Sequence, residues 1–142
     1  KPDIALSSDF IIGFPGETDQ DFEDTLDLIQ RVKYMNSYSF KYSPRPGTPA
    51  SNKELISDEI LDERLARTQA LLNEQQLEYN KRFIQKTVQV LIDGAGKHEG
   101  QVKGKSEFNQ SVALQGEKQI IGRIVPVQIK EALTHSLLGE RA

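Results

Sequence analysis

Neither cysteine nor tryptophan occurs among the 142 residues. Without cysteine the chain has no disulfide and no thiolate metal site of its own, which fits a cytosolic setting. Long apolar runs are missing too: none approaches the roughly 20 residues of a membrane-spanning helix. The chain opens Lys1-Pro2, and Asp3 to Leu6 leads straight into a strand pattern. No charged-then-apolar leader with a cleavage site precedes it, so no secretory signal is expected. Repeats and low-complexity tracts are absent. The two histidines, His98 and His135, stand alone in turns. They are expected at the surface, and no general acid–base pair is legible.

The net charge of −3 hides an asymmetry. Residues 1–79 carry 8 Lys/Arg against 15 Asp/Glu, a balance of −7. Residues 80–142 carry 10 against 6, a balance of +4. A break of this kind suggests two modules, the second better suited to a polyanion, unless it is a chance fluctuation. The length allows one ordinary domain or two small ones.

Phe10 to Thr18, FIIGFPGET, organises the first module. Phe10, Ile11 and Ile12 form a short apolar run, as expected of a strand covered on both faces. Gly13 and Gly16 permit backbone conformations that a Cβ forbids, and they let a ligand approach the main chain. Ligands collect at the carboxyl ends of strands in α/β folds, so this turn is either a cofactor site or a plain strand-to-helix connection. Thr18 with Asp21 reads as a capping box opening a helix over about 19–34. Phe22, Leu26, Ile29 and Val32 share one face of it. Ser37 to Tyr42 alternates as a strand, completing a βαβ unit with parallel strands.

Ser43 to Ala50, SPRPGTPA, packs three prolines and a glycine into eight residues and is expected to lack regular structure. Arg45 between two of those prolines is either a fixed contact for a phosphate, carboxylate or base, or a solvated linker arginine. Ser57 to Ile84 is the longest helical pattern, with a stripe of Leu61, Leu65, Thr68, Leu72, Tyr79 and Phe83 and a length of about 40 Å. It is expected to close the first module and carry the chain into the second. The second reads as β. Its strands are expected at Thr87–Ile92 (ending in a DGAG turn), Gly100–Lys105, Ser111–Leu114, Ile120–Ala132 and Ser136–Glu140, which suits a small OB-like barrel. Pro126 implies an edge or a bulge.

The strings SSDFIIGFPGETDQDF and FKYSPRPGTPA, a long helix, and a β module ending HSLLGE together resemble the carboxyl-terminal part of the radical-SAM methylthiotransferases. The proline-rich YSPRPGTPA resembles the tRNA-acting branch more than branches with an acidic loop. The resemblance implies a fold of α/β plus all-β. Residues 1–79 would be the last βα units of a partial (β/α) radical-SAM barrel with a long closing helix. Residues 80–142 would be a five-stranded OB-like TRAM β-barrel that binds RNA.

It implies S-adenosyl-L-methionine (SAM) and two 4Fe-4S clusters in the full-length enzyme. The cluster ligands are absent from this chain, so no catalytic residue is expected here and the chain alone should be inactive. Ile11, Gly13, Phe14 and Gly16 would line the cofactor site, with Tyr42 and the loop 43–48 facing the same cavity. The family's GxIxGxxE form is only partly met: Asp9 stands at the first Gly, and Glu17 comes one residue late.

Arg45, Lys103, Lys105, Phe108, Asn109 and Arg123 would meet RNA, though on residue type alone they also suit a solvated β surface. The implied reaction replaces the C2 hydrogen of an N6-isopentenyladenosine beside the anticodon with a methylthio group. The implied partners are the tRNA anticodon stem-loop and SAM, without a membrane, for a monomeric cytoplasmic enzyme. The alternatives are the branch acting on a ribosomal-protein aspartate, another radical-SAM methylthiotransferase, and a non-catalytic TRAM RNA-binding module. The last would have no use for the GFPGET turn.

Overall fold

The computed structural model describes residues 1–142, which fall into two compact units. One comprises Leu6–Gln75; the other joins Lys1–Ala5 to Gln76–Ala142.

In the first unit, β1 (Ser7–Ile12) and β2 (Asn36–Lys41) pair in parallel, with Ser7 opposite Asn36 and Ile12 opposite Lys41. Between them runs α1 (Asp19–Val32). The predicted capping box forms. Thr18 Oγ1 accepts from the Asp21 N–H at 3.1 Å, and Asp21 Oδ2 accepts from the Thr18 N–H at 2.8 Å. These bonds satisfy two donors that helix geometry leaves free. Lys33 ends the helix in a left-handed conformation, and its N–H donates to the Ile29 carbonyl. Ile12, Phe22, Ile29, Met35, Leu61 and Leu72 are the buried apolar set of this unit.

β1 is not covered on both faces. Ile12 is 1% exposed, but Ile11 is 59% exposed and stands opposite Phe40, itself 53% exposed. Tyr38 extends the same uncovered face. The unit has only two strands and buries one side of them, so the apolar run reports a strand without reporting what covers it. The proline loop also differs from expectation in its last residues. Pro49–Asn52 forms a 3₁₀ turn with Pro49 leading it, a position where a missing N–H costs nothing.

Helix α2 (Asp58–Lys81) contributes residues to both units. Its 24 residues span about 36 Å, somewhat less than expected, because residues 82–85 leave the helix as turns.

The second unit holds a closed barrel of β3 (Thr87–Ala95), β4 (Gln101–Ser106), β5 (Ser111–Gln115), β6 (Ile124–Ala132) and β7 (Leu137–Arg141). The strand order is β3-β4-β5-β7-β6. Every pairing is antiparallel except β5 with β7. Alternate residues point inward, as a strand's period of two requires. Val88, Val90, Ile92, Val102, Val112, Leu114, Val125, Val127, Ile129 and Leu137 fill the interior.

Three sequence expectations need correction. The DGAG stretch does not end β3. Pairing resumes after a bulge, with Gly94 opposite Lys103 and Ala95 opposite Val102, so the turn falls later. Ile120 does not begin β6, because residues 118–120 form a 3₁₀ turn. Pro126 marks neither an edge nor the bulge of β6. It stands opposite Gln89 between two paired neighbours, and the register shift lies at Ile129/Glu131. Its carbonyl accepts from the Ala142 N–H, so its missing donor faces the same side, where the β7 pairing runs out.

Candidate cofactor turn and nucleic-acid interface

Gly13 and Gly16 both adopt positive φ, 78° and 94°. The two differ in what surrounds them. A Cβ on Gly13 would collide with the Leu61 side chain, whereas a Cβ on Gly16 would meet nothing within 4 Å. Gly13 is therefore glycine because of its backbone angle and because α2 packs against it. The open approach expected of both glycines exists only at Gly16.

Phe14 is 48% exposed, and its ring meets Tyr42 edge-on at 5.3 Å. Tyr42 is held by its N–H, which donates to the Ile12 carbonyl at 2.8 Å. Its hydroxyl is buried without a hydrogen-bond partner. Phe14 and Tyr42 thus meet just past the carboxyl ends of β1 and β2, with Ile11 next to last in β1. Arg45 lies apart in the loop, exposed, with its carbonyl taking the Thr48 N–H and hydroxyl at 3.2 and 2.8 Å.

A charged cluster underlies the turn. The Gly13 N–H donates to Glu17 Oε2 at 3.1 Å. Arg64 of α2 donates to Glu17 Oε1 at 2.7 Å and to Asp19 Oδ1 at 2.6 Å. Burial disfavours the charged guanidinium, but the hydrogen bonds it gives to Asp19 and Glu17, with their negative charges, outweigh it and raise the Arg64 pKa. Sequence reasoning overlooked Arg64. The signal was there, since position 64 falls three residues after Leu61 and four before Thr68, in register with the buried stripe. No group of three or more His, Cys, Asp or Glu is arranged to hold a metal ion.

In the second unit, Lys103 and Lys105 project outward from β4. Lys105 Nζ donates to Ser111 Oγ at 2.9 Å. Leu91 stands opposite both Lys105 and Ile124, and at 47% and 67% exposure Leu91 and Ile124 form an apolar strip on the outer wall. Arg123, exposed, immediately precedes Ile124. Lys105 therefore borders this apolar strip, with Lys103 two residues along the same outward face of β4 and Arg123 next to Ile124 in the chain.

Phe108 and Asn109 belong elsewhere, in the turn between β4 and β5. The Phe108 ring packs 5.1 Å from Phe83, which packs 5.4 Å from Tyr79. Asn109 takes a left-handed φ of 60° and donates its N–H to the Ser106 carbonyl. Arg82 and Lys86 cap the rings of Tyr79 and Phe83 at 5.6 and 5.7 Å. Tyr79, Arg82, Phe83, Lys86 and Phe108 line a groove of about 420 Å³. Burial raises the Tyr79 phenol pKa, with the Asp3 charge adding to it against Arg82. His135 Nδ1 lies 3.2 Å from Gln76 Oε1 at the surface.

The comparisons follow the same division. Residues 81–141 match the model of the TRAM domain. Residues 81–141 are a TRAM domain. The closed five-stranded barrel and its cationic outer wall thus belong to a TRAM domain, as does the turn carrying Phe108 and Asn109.

The likeness to known proteins runs beyond the TRAM domain. The chain is 53% identical, over 99% of its length, to tRNA-2-methylthio-N(6)-dimethylallyladenosine synthase of Rickettsia akari (strain Hartford). It is 52% identical, over 98%, to the synthase of the same name from Wolbachia pipientis subsp. Culex pipiens (strain wPip). The match to that of Rickettsia rickettsii (strain Sheila Smith) is 53% over 99%. The chain spans 32% of the length of each of these relatives. By sequence it groups with these synthases through both of its units. No helix is long and apolar enough to cross a membrane.

Proposed function

We propose that this chain is the carboxyl-terminal part of a tRNA methylthiotransferase, completing a SAM-binding barrel and carrying its RNA-binding domain. The observation that carries the reading is the reach of the likeness, which at 53% identity takes in the glycine turn as well as the TRAM domain. A free-standing RNA-binding module would need no parallel βαβ unit. On this reading residues 1–79 are the end of the radical-SAM barrel and residues 80–142 the RNA-binding domain. The uncovered face of Ile11, Tyr38 and Phe40 then lines the barrel's interior, which explains why apolar side chains stand exposed there.

SAM suits the residues present. Phe14 and Tyr42 offer aromatic surface, Gly16 leaves an open approach, and the Tyr42 hydroxyl has a hydrogen bond to give. When bound, SAM supplies the radical and methyl chemistry of the transfer. The chain's own residues bind and orient: Ile11, Phe14, Gly16 and Tyr42 toward the cofactor, with Gly13 setting the turn that presents them, and Arg45 toward the target nucleotide. Two 4Fe-4S clusters do not suit this chain, which has no cysteine to ligate them; residues outside it would hold them.

The RNA partner is the tRNA anticodon stem-loop. Lys103, Lys105 and Arg123 neutralise its phosphates, and the Leu91–Ile124 strip offers apolar surface to an unstacked base. Phe108 acts by holding the Ser106–Gln110 turn that presents Asn109. The enzyme works as a monomer in the cytoplasm on N6-isopentenyladenosine.

The test is complementation. A strain deleted for its own methylthiotransferase receives the whole protein, and its tRNA nucleosides are read by mass spectrometry. A 2-methylthio form of N6-isopentenyladenosine is expected. Unmodified tRNA beside a methylthiolated ribosomal-protein aspartate would move the protein to the other branch; neither product would refute the reading.

A further inference from the structure

Arg64 is 5% exposed, a rare setting for a guanidinium. It sits beneath the glycine turn and reaches it by an unbroken chain of bonds. Its Nη1 donates to Glu17 Oε1 at 2.7 Å and to the Glu17 carbonyl at 3.2 Å. The second oxygen of that carboxylate accepts the Gly13 N–H at 3.1 Å. Its Nη2 donates to Asp19 Oδ1 at 2.6 Å, at the start of α1. The guanidinium lies 5.5 Å from the centre of the Phe22 ring. Leu61, three residues earlier on α2, fills the space beside Gly13. The turn is thus held at Gly13, its first glycine, and at Glu17, the residue that follows Gly16.

Stability alone is a weak reason for such an arrangement. Burying an ion pair costs desolvation that offsets most of the attraction, and apolar residues of similar volume often serve as well. A forked guanidinium held by two carboxylates supplies fixed geometry. Here the geometry falls on the segment whose Phe14 ring meets Tyr42.

The geometry points to Arg64 as a positioning residue for SAM: acting through Glu17, it fixes the Gly13–Gly16 backbone and so the place of Phe14 in the cofactor site. This rests on the reading of the turn as a SAM site.

The test uses the full-length enzyme, with SAM affinity by equilibrium dialysis, tRNA affinity, and thermal midpoint as readouts. Arg64→Lys keeps the charge and loses the fork. Glu17→Gln keeps an acceptor for the Gly13 N–H and loses the ion pair. Each is expected to weaken SAM binding about tenfold, the scale of one hydrogen bond to a charged group. The double variant should be no weaker than the worse single, because both cut one link. Affinity for tRNA should not change. Phe14→Ala is the separating arm. If it weakens SAM binding while Arg64→Lys and Glu17→Gln do not, or while their effects add, the positioning role is wrong and the SAM site stands. If Phe14→Ala also leaves SAM affinity unchanged, the SAM reading of the turn falls and this inference with it. Should Arg64→Lys fail to fold, Glu17→Gln reads the same link alone.

Discussion

Leu61 occupies the space that a Cβ on Gly13 would need. Two residues 48 positions apart therefore share one requirement: a glycine at the strand end and a leucine on α2 facing it. Gly13→Ala must adopt a left-handed backbone and displace Leu61, at a combined cost of about 2–5 kcal/mol. Urea denaturation should show that loss. Adding Leu61→Ala should cost less in the Gly13→Ala background than in the parent, since the collision is relieved. Additive effects would mean that the two side chains do not compete for the space.

The capping box gives a pH signature. Asp21 accepts from the Thr18 N–H and hydroxyl, which holds its pKa below the ordinary 3.8. A carboxyl with a depressed folded pKa stabilises above its unfolded pKa, and the contribution is lost as pH falls through the folded value. Acid denaturation of Asp21→Asn should thus converge on the parent's at the acid end, below pH about 4, and diverge above it. Thr18→Ala, which removes the N-cap acceptor, should cost about 1 kcal/mol at neutral pH.

Asn80 ties the end of α2 to the TRAM barrel. Its Nδ2 donates to the Leu133 and Thr134 carbonyls at 2.8 and 3.1 Å, and its Oδ1 accepts from Gln110 Nε2 at 2.9 Å. At 2% exposure no water can replace them. Asn80→Asp keeps the shape but faces two carbonyls with an acceptor. A loss of at least about 3 kcal/mol is expected by thermal denaturation, exceeding that of Asn80→Ala. The reverse order would show that the carbonyls find other donors.

The outer wall of the barrel predicts a salt dependence. If Lys103, Lys105 and Arg123 each contact one phosphate, changing all three to Ala should flatten the slope of log affinity against log salt by roughly two to three. Titration with a tRNA anticodon stem-loop at several salt concentrations reads this directly. A parental slope in the triple variant would leave those cations as solvated surface. Phe108→Ala should instead lower stability by about 3 kcal/mol or more, because its ring is part of the packing on Phe83.

Arg45→Ala should leave stability within about 0.5 kcal/mol, since only the residue's carbonyl takes part in the turn. Lower methylthiolation turnover in the whole enzyme is expected, and unchanged turnover would remove Arg45 from the substrate site.

What the chain discloses locally came through in the sequence. Thr18 and Asp21 lie three residues apart and cap a helix wherever the chain goes. Val125, Val127 and Ile129 alternate because the strand period is fixed. What depends on distant residues did not come through. Ile11 reads as buried, yet an apolar run is silent about its cover. Gly13 reads as room for a ligand until Leu61 is brought beside it. Phe108 reads as a candidate RNA contact, and its packing against Phe83 is not visible in the sequence. Arg64 stands in the register of the buried stripe, but the carboxylates that hold it there lie more than forty residues away in the sequence. Asp93-Gly94 reads as a turn, although the partner strand keeps β3 going through a bulge.

The barrel's last-made strand is also its keystone. β7 fills the slot between β5 and β6, and it meets β5 through only three paired residues. Until the ribosome has delivered residues 137–141, both neighbours present bare edges, the kind that recruit strands from other chains. A nascent barrel therefore stays open until β7 has been made. A chain cut before residue 137 should yield a sticky species that chaperones and proteases recognise, in place of a slightly shortened domain.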